Sequence, residues 1–205
     1  RCCVTGGAGF IGSNIVEKLL DRGSEVVVLD DLSTGTMANV DAFSADSRYR
    51  FIEGSVTDPD ACREAVDGCT CIFHEAALVS VPQSVEDPVR AHGINVTGTM
   101  NVFLAARDAG AERVVWASST SVYGNADILP NHEDMPLRPL SPYAATKAAG
   151  EMYARALSET AGISVISLRY YNVFGRRQDP FSPYAAVIPL FVSAMLKGER
   201  PVIYG

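Results

Sequence analysis

Long apolar runs are missing from this 205-residue chain. None reaches the ~18 to 20 residues that a membrane-spanning helix needs, so the chain reads as a non-membrane protein. Positive charge is in deficit: 17 Lys and Arg against 24 Asp and Glu leave a net charge of −7. That balance argues against a general nucleic-acid surface. It leaves room for an anionic small ligand, because helix N-termini hold phosphate even on an acidic protein. Cysteine pairing signals are also lacking. Cys2, Cys3, Cys62, Cys69 and Cys71 are odd in number and include no C-x-x-C, which points to neither a zinc site nor a disulfide framework. Buried thiols in a reducing cytoplasm are the expectation. His74, His92 and His132 are scattered, and none reads as a metal ligand. Internal repeats and low-complexity tracts are absent.

What is present is an ordinary globular balance, 47% hydrophobic and 20% charged, with length enough for one well-cored domain. Apolar strand-like runs cover Cys2 to Thr5, Glu25 to Asp30, Tyr49 to Glu53, Thr70 to His74, Arg113 to Ser118, Ser164 to Arg169 and Pro201 to Tyr204. Amphipathic helical stretches begin near Ile11, Asp58, Val89, Pro142 and Ala185. Such alternation predicts an α/β protein with a parallel sheet covered on both faces. Two longer irregular stretches, Asn125 to Leu140 and Tyr171 to Tyr184, follow strand ends, the edge where open α/β sheets bind ligands. The chain starts inside its first strand and stops just after its last, which reads as a fragment of a longer protein.

Glycine carries the first motif. Gly6, Gly9 and Gly12 stand three apart in Val4-Thr5-Gly6-Gly7-Ala8-Gly9-Phe10-Ile11-Gly12, between the first strand and the first helix. One glycine makes a tight turn, one lets backbone approach a pyrophosphate, and one lets helix pack on strand. The helix N-terminus adds N–H groups and partial positive charge. The second strand ends in Asp30, where a carboxylate accepts from ribose hydroxyls and repels a 2′-phosphate. NAD is therefore expected over NADP. Asp31 reads as a turn residue beside it.

Hydroxyls carry the second motif. The fifth strand ends in Ser118-Ser119-Thr120-Ser121-Val122-Tyr123-Gly124, at the edge a nicotinamide would face. Tyr143 and Lys147 lie four apart, on one face of a helix. A phenol titrates near ~10, and a nearby cation brings it towards use as a base. Beside a dinucleotide, such a pair supplies a proton acceptor next to a hydride acceptor.

Taken in order, these glycines, Asp30, the strand-end serines with Tyr123-Gly124, and Tyr143-x-x-x-Lys147 resemble the extended short-chain dehydrogenases/reductases. These are the NAD-dependent sugar-nucleotide epimerases and dehydratases. Within the family the set looks most like the 4-epimerases of UDP-glucose and UDP-N-acetylglucosamine, and the stretches from Leu168-Arg169-Tyr170-Tyr171-Asn172-Val173-Phe174-Gly175 to Pro180 and from Tyr184 to Pro189 look especially like the epimerases of N-acetylated UDP-hexosamines. The resemblance implies a Rossmann-type doubly wound sheet in strand order 3-2-1-4-5-6-7. Residues 1–205 would form the NAD-binding domain. Elements from about Tyr171 would be shared with a C-terminal substrate lobe that this chain lacks.

The resemblance also implies roles. Phe10 and Ile11 would lie under the pyrophosphate. Asp30 would hold the adenosine ribose, with Asp31, Ser33, Thr34 and Gly35 nearby. Ser55 and Val56 would flank the adenine, with Ser55 standing where the family often has Asp. Ala76, Ala77, Asn95 and Tyr171 would line the cofactor. Ser119 would bond the reacting hydroxyl, Tyr143 would be the base, and Lys147 would bridge the nicotinamide ribose and tune Tyr143. Ser80, Thr120, Ser121, Asn172, Arg176 and Arg177 would face a UDP-sugar substrate. A homodimer through the Val89–Asp108 stretch and the Tyr143 helix is the expected assembly.

Three classes of function remain to be compared on these residues, and among epimerases those acting on glucuronate or on other nucleotides stay open, because the residues read neither the C5 substituent nor the base. Inversion at C4 of a UDP-hexose uses Ser119, Tyr143 and Lys147 as they stand. Dehydratases and decarboxylases of the family carry acids after the strand-end hydroxyl, where this chain has Thr120 and Ser121; elimination needs such an acid. A non-catalytic NAD sensor would need none of the three residues together.

Overall fold

A computed structural model describes residues 1–126, 128–179 and 187–201. Among the described residues, six parallel strands form one sheet in the order β3-β2-β1-β4-β5-β6. They are β1 (Cys2–Thr5), β2 (Val26–Asp30), β3 (Tyr49–Glu53), β4 (Cys71–His74), β5 (Arg113–Ser119) and β6 (Val165–Tyr170). This is the Rossmann-type order that was expected, through its sixth strand. The seventh expected strand, Pro201 to Tyr204, lies outside the described residues apart from Pro201.

Burial explains the winding. All five residues of β2 are buried, as expected of a central strand covered on both faces. On one face, α1 (Phe10–Asp21) lays Val16 and Leu20 on Val4, Val26 and Val28. On the other, α2 (Pro59–Val66), α5 (Thr99–Asp108) and α6 (Pro142–Ala161) close over Val27, Leu29, Ile72, Val114 and Trp116. Trp116 and Phe103 meet edge to face at 6.0 Å. Strand β6 is the open side of the sheet, with Ile166 and Leu168 exposed.

Helix α6 has well-defined ends. Ser141 caps it by accepting from the Ala144 N–H at 3.1 Å, Pro142 occupies its first turn, and Gly162 ends it in the left-handed region at φ 69°. Gly150 lets the helix lie on Trp116, since a Cβ there would meet the indole at 2.3 Å.

The region before α5 departs from the sequence reading. The helix expected from near Val89 forms as one continuous run of α4 (Pro88–His92), a π-helical stretch Gly93–Gly98 and α5, and a further short helix, α3 (Val81–Glu86), precedes it. Pro82 and Pro88 start the two short helices, and Asp87 caps the second. The expected helix near Ala185 is α7 (Val187–Leu196); its predicted start falls outside the described residues.

Candidate active site

The cradle at the β1–α1 turn is built of main chain. Gly6 sits at φ 69°, and a Cβ on it would come within 2.7 Å of the Ala76 nitrogen. A Cβ on Gly12 would come within 2.1 Å of the Gly6 carbonyl oxygen. Gly9 caps α1 with no side-chain hydrogen bond, which leaves the first-turn N–H groups facing outward for an anion. Ala76 donates its N–H to the Thr5 hydroxyl at 3.3 Å, holding β4's end against the turn.

Asp30 ends β2 almost fully buried. Its Oδ2 accepts from the Ala8 N–H at 2.9 Å and its Oδ1 from the Leu32 N–H at 2.8 Å. Burial pushes its carboxyl up, and the Leu32 and Ala8 N–H groups pull it back. Each oxygen keeps a lone pair for a further donor. Gly35 preserves the space, because a Cβ there would crowd Asp30 Oδ1 at 2.9 Å. Asp31 turns its side chain onto the Ser33 N–H at 3.0 Å, in the turn role expected of it. Ser33 and Thr34 are exposed on the same loop. Ser55 Oγ accepts from the N–H and hydroxyl of Thr57 at 3.3 and 3.0 Å, while Val56 is buried against Gly98.

The fold brings Ser119, Tyr143 and Lys147 together at the carboxyl end of β5. Tyr143 and Ser119 share a hydrogen bond. Lys147 is buried, and its ammonium donates to the Ala117 carbonyl at 2.7 Å. Nζ stands 5.9 Å from the centre of the Tyr143 ring and 5.2 Å from that of Trp116. Burial lowers Lys147 to about 8, with Glu75 opposing the fall. Burial also raises Tyr143, and the Ser119 hydrogen bond lowers it. The phenol is thus tuned by Ser119 and burial, and Lys147 gives one of its three N–H donors to a carbonyl.

Side chains that the sequence did not single out hold this corner. Ser84 accepts from the Tyr143 N–H at 3.0 Å, and Thr146 donates to the Tyr143 carbonyl at 2.7 Å. Behind Ser119, Ser118 donates to Glu151 at 2.5 Å; Glu151 in turn pairs with Arg169 at 2.7 Å, and Arg169 donates to the Tyr123 hydroxyl at 2.9 Å. A reading of motifs stops at residues with reactive groups and misses these braces.

Several expected ligand contacts take other partners. Asn95 is buried and spends its amide on both backbone groups of Leu78 and on Thr146, so it clamps the segment after β4 to α6. Ser80 is buried as the cap of α3, accepting from Gln83. Ser121 Oγ is buried with no partner, and Thr120 lies beside it. Ala77 is half-buried after Ala76. Tyr171 is 61% exposed and lines an open cleft of about 510 Å³ along β6 with Tyr123 and Arg169. Tyr170, one residue earlier, faces the site and donates to Glu75 at 3.1 Å. Tyr171 is the first residue past β6, and Tyr170 lines the same cleft. Asn172 is exposed. Arg177 is locked onto α1, bonding Ser13 at 3.0 Å and Glu17 at 2.8 Å, and Arg176 lies 3.6 Å from Glu17. The loop carrying both arginines therefore lies on the first turns of α1, with Gly175 near the Phe10 ring.

This glycine cradle and its hydroxyl corner match the NAD dependent epimerase/dehydratase family over residues 2–205. The chain belongs to the NAD-dependent epimerase/dehydratase family. Among its relatives is the UDP-glucose 4-epimerase of Mycolicibacterium smegmatis, 41% identical over all of this chain and 66% of its own length. The UDP-N-acetylglucosamine 4-epimerase of Methanobrevibacter ruminantium M1, solved with UDP-N-acetylmuramic acid, is 42% identical; the match has a TM-score of 0.93 and covers all of this chain and 65% of that one. The dTDP-glucose 4,6-dehydratase of Streptomyces venezuelae, a double mutant solved with NAD, is 40% identical; its TM-score is 0.88, with 100% and 65% covered. Epimerases, dehydratases and decarboxylases all occur among the relatives. The chain spans about two thirds of these family members' lengths. Family membership makes NAD the cofactor class, and the methyl-free cradle with its buried Asp30 fits that group. Among the described residues, no helix is long and apolar enough to cross a membrane.

Proposed function

We propose that the protein is a 4-epimerase of a UDP-hexose, acting on UDP-glucose and UDP-galactose or their N-acetylated forms through a 4-keto intermediate. The observation that carries this reading is the meeting of Ser119, Tyr143 and buried Lys147 at one strand end, with Thr120 and Ser121 where an eliminating enzyme places its acid. Gly6, Gly9, Phe10, Ile11 and Gly12 would hold the pyrophosphate of NAD, Asp30 its adenosine ribose, and Ala76 and Lys147 its nicotinamide end. Bound NAD supplies the acceptor and later the donor of the sugar's C4 hydride. Tyr143, as phenolate, takes the proton of the C4 hydroxyl, and Ser119 orients that oxygen. The UDP part, remote from the reacting carbon, keeps the ketone in place while the sugar turns its other face. Tyr143 then returns the proton and the configuration is inverted.

The expected assembly is a homodimer through α4, α5 and α6. Exposed Val89, Met152 and Tyr153 supply apolar surface there. Free thiols throughout agree with a cytoplasmic setting. Incubating the full-length protein with UDP-galactose and with UDP-N-acetylgalactosamine tests the activity. Conversion of one or both is expected, and conversion of neither overturns the reading. Sedimentation at working concentration tests the assembly, and a monomer refutes it.

A further inference from the structure

A strap of chain runs along the carboxyl edge of the sheet. It leaves β6 at Tyr170 and is held next on α1, which follows β1. The sheet order sets β5 and β4 between those two strands. Three strand spacings come to ~14 Å, within the ~23 Å that residues 171–177 reach when extended. The strap therefore passes the ends of β5 and β4 on its way to the cradle. Its far end is gripped by one turn of α1. Arg177 donates through Nε to Ser13 Oγ at 3.0 Å, and through one Nη to the Ser13 carbonyl at 3.2 Å and to Glu17 at 2.8 Å. Asn14 donates to the Arg176 carbonyl at 2.9 Å. Arg177 sits at φ 67°, a left-handed conformation that a side chain of its size rarely adopts. Within the strap, the Gln178 amide bonds the Gly175 N–H and the Val173 carbonyl, each at 3.3 Å. Gly175 lies near the ring of Phe10, in the first turn of α1. Among the described residues, Glu17 is the carboxylate that pairs with both strap arginines.

We propose that Glu17 is a positioning residue for cofactor retention: through Arg177 it latches the strap across the mouth of the cradle, so that NAD, and NADH in mid-reaction, leave slowly. This rests on the reading of the cradle as an NAD site and of a 4-keto intermediate. The hydride taken from the sugar has to return to the same ketone, and a dinucleotide that departed as NADH would strand it. The first turns of α1 serve both tasks. Their N–H groups face the pyrophosphate, and Ser13, Asn14 and Glu17 hold the strap beside it. An exposed ion pair contributes little, but this one is mostly buried, with side-chain exposures of 17% for Arg177 and 25% for Glu17. The guanidinium also spans Ser13 and Glu17 with its planar fork, which fixes direction as well as contact. The left-handed backbone at Arg177 is kept by these bonds, so losing the carboxylate loosens the strap without touching the sheet.

The test uses the full-length protein and follows exchange of its bound NAD against isotopically labelled NAD in the medium. Glu17→Gln is expected to speed exchange by ~10-fold, with the melting temperature of the NAD-free protein kept, and Glu17→Asp to restore part of the retention. Sugar-nucleotide conversion by Glu17→Gln should fade with time as NADH escapes, and NAD added to the medium should restore it; a merely structural role gives no such rescue. Unchanged exchange in Glu17→Gln overturns the latch while leaving the epimerase reading intact. A wild type that holds no NAD or converts no sugar nucleotide overturns that reading, and the latch with it. Should Glu17→Gln fail to fold, Asn14→Ala decides: exchange faster by ~3-fold supports the latch and unchanged exchange refutes it.

Discussion

The cradle and the catalytic corner lie on one sheet edge but are held by opposite means. The cradle is shaped by what is missing: methyl groups at Gly6 and Gly12 would strike Ala76 and the Gly6 carbonyl. The corner is shaped by what is present, a set of hydroxyls, amides and charges from α3, β5, α6 and the π-helical stretch. A site made by omission fails at a single added atom. A site made by bracing weakens by degrees as each brace is removed.

The largest effect should come at the corner's one irreplaceable atom. Tyr143→Phe is expected to reduce turnover by ~10²- to 10⁴-fold, measured as sugar-nucleotide conversion, and to leave bound NAD unchanged. A variant that also lost NAD would erase the distinction between the two regions. Next comes the cradle. Gly12→Ala, with 2.1 Å available, should destabilise by about 3 kcal/mol in a denaturant melt and release NAD on purification.

A pH series sharpens the contrast further. Burial lowers Lys147 to about 8 in the fold, below its unfolded value, so the unfolded chain binds the extra proton between the two. Stability of wild type relative to Lys147→Met should therefore rise as pH climbs from about 8 towards ~10.4, by up to ~3 kcal/mol in paired melts. The smallest effect belongs to a single brace. Ser84→Ala removes the acceptor for the Tyr143 N–H and should cost ~1 kcal/mol in stability with a few-fold loss of turnover.

The same contrast explains how much the sequence disclosed. Glycine has no substitute at a left-handed turn or a 2 Å gap, so Gly6 and Gly12 are visible as letters. Asp30 is visible because it ends an apolar strand at the right distance. The parallel sheet was legible from near-continuous apolar runs. Tyr143, Lys147 and Ser119 were legible only as a combination, since each is common alone. The bracing was not legible at all. Asn95 offers the same amide to a ligand or to the backbone of Leu78, and only folding decides which. Helix α3 was missed because it is one short turn-and-a-half ahead of the Val89 stretch, and the π-helical register inside that stretch was hidden because it keeps helical periodicity. Tyr170, which donates to Glu75, went unnamed because a strand's last residue and a loop's first look alike in sequence. The ion pair of Arg177 with Glu17 on α1 was not legible, because the two stand 160 residues apart in the chain.

Gly150 leaves the gap in which α6 lies on Trp116. It has an optical consequence. Trp116 is the single tryptophan of the chain, fully buried, with the Lys147 ammonium 5.2 Å from its ring. A charge that near an indole shifts its emission, so intrinsic fluorescence would follow the protonation of Lys147 with no label attached.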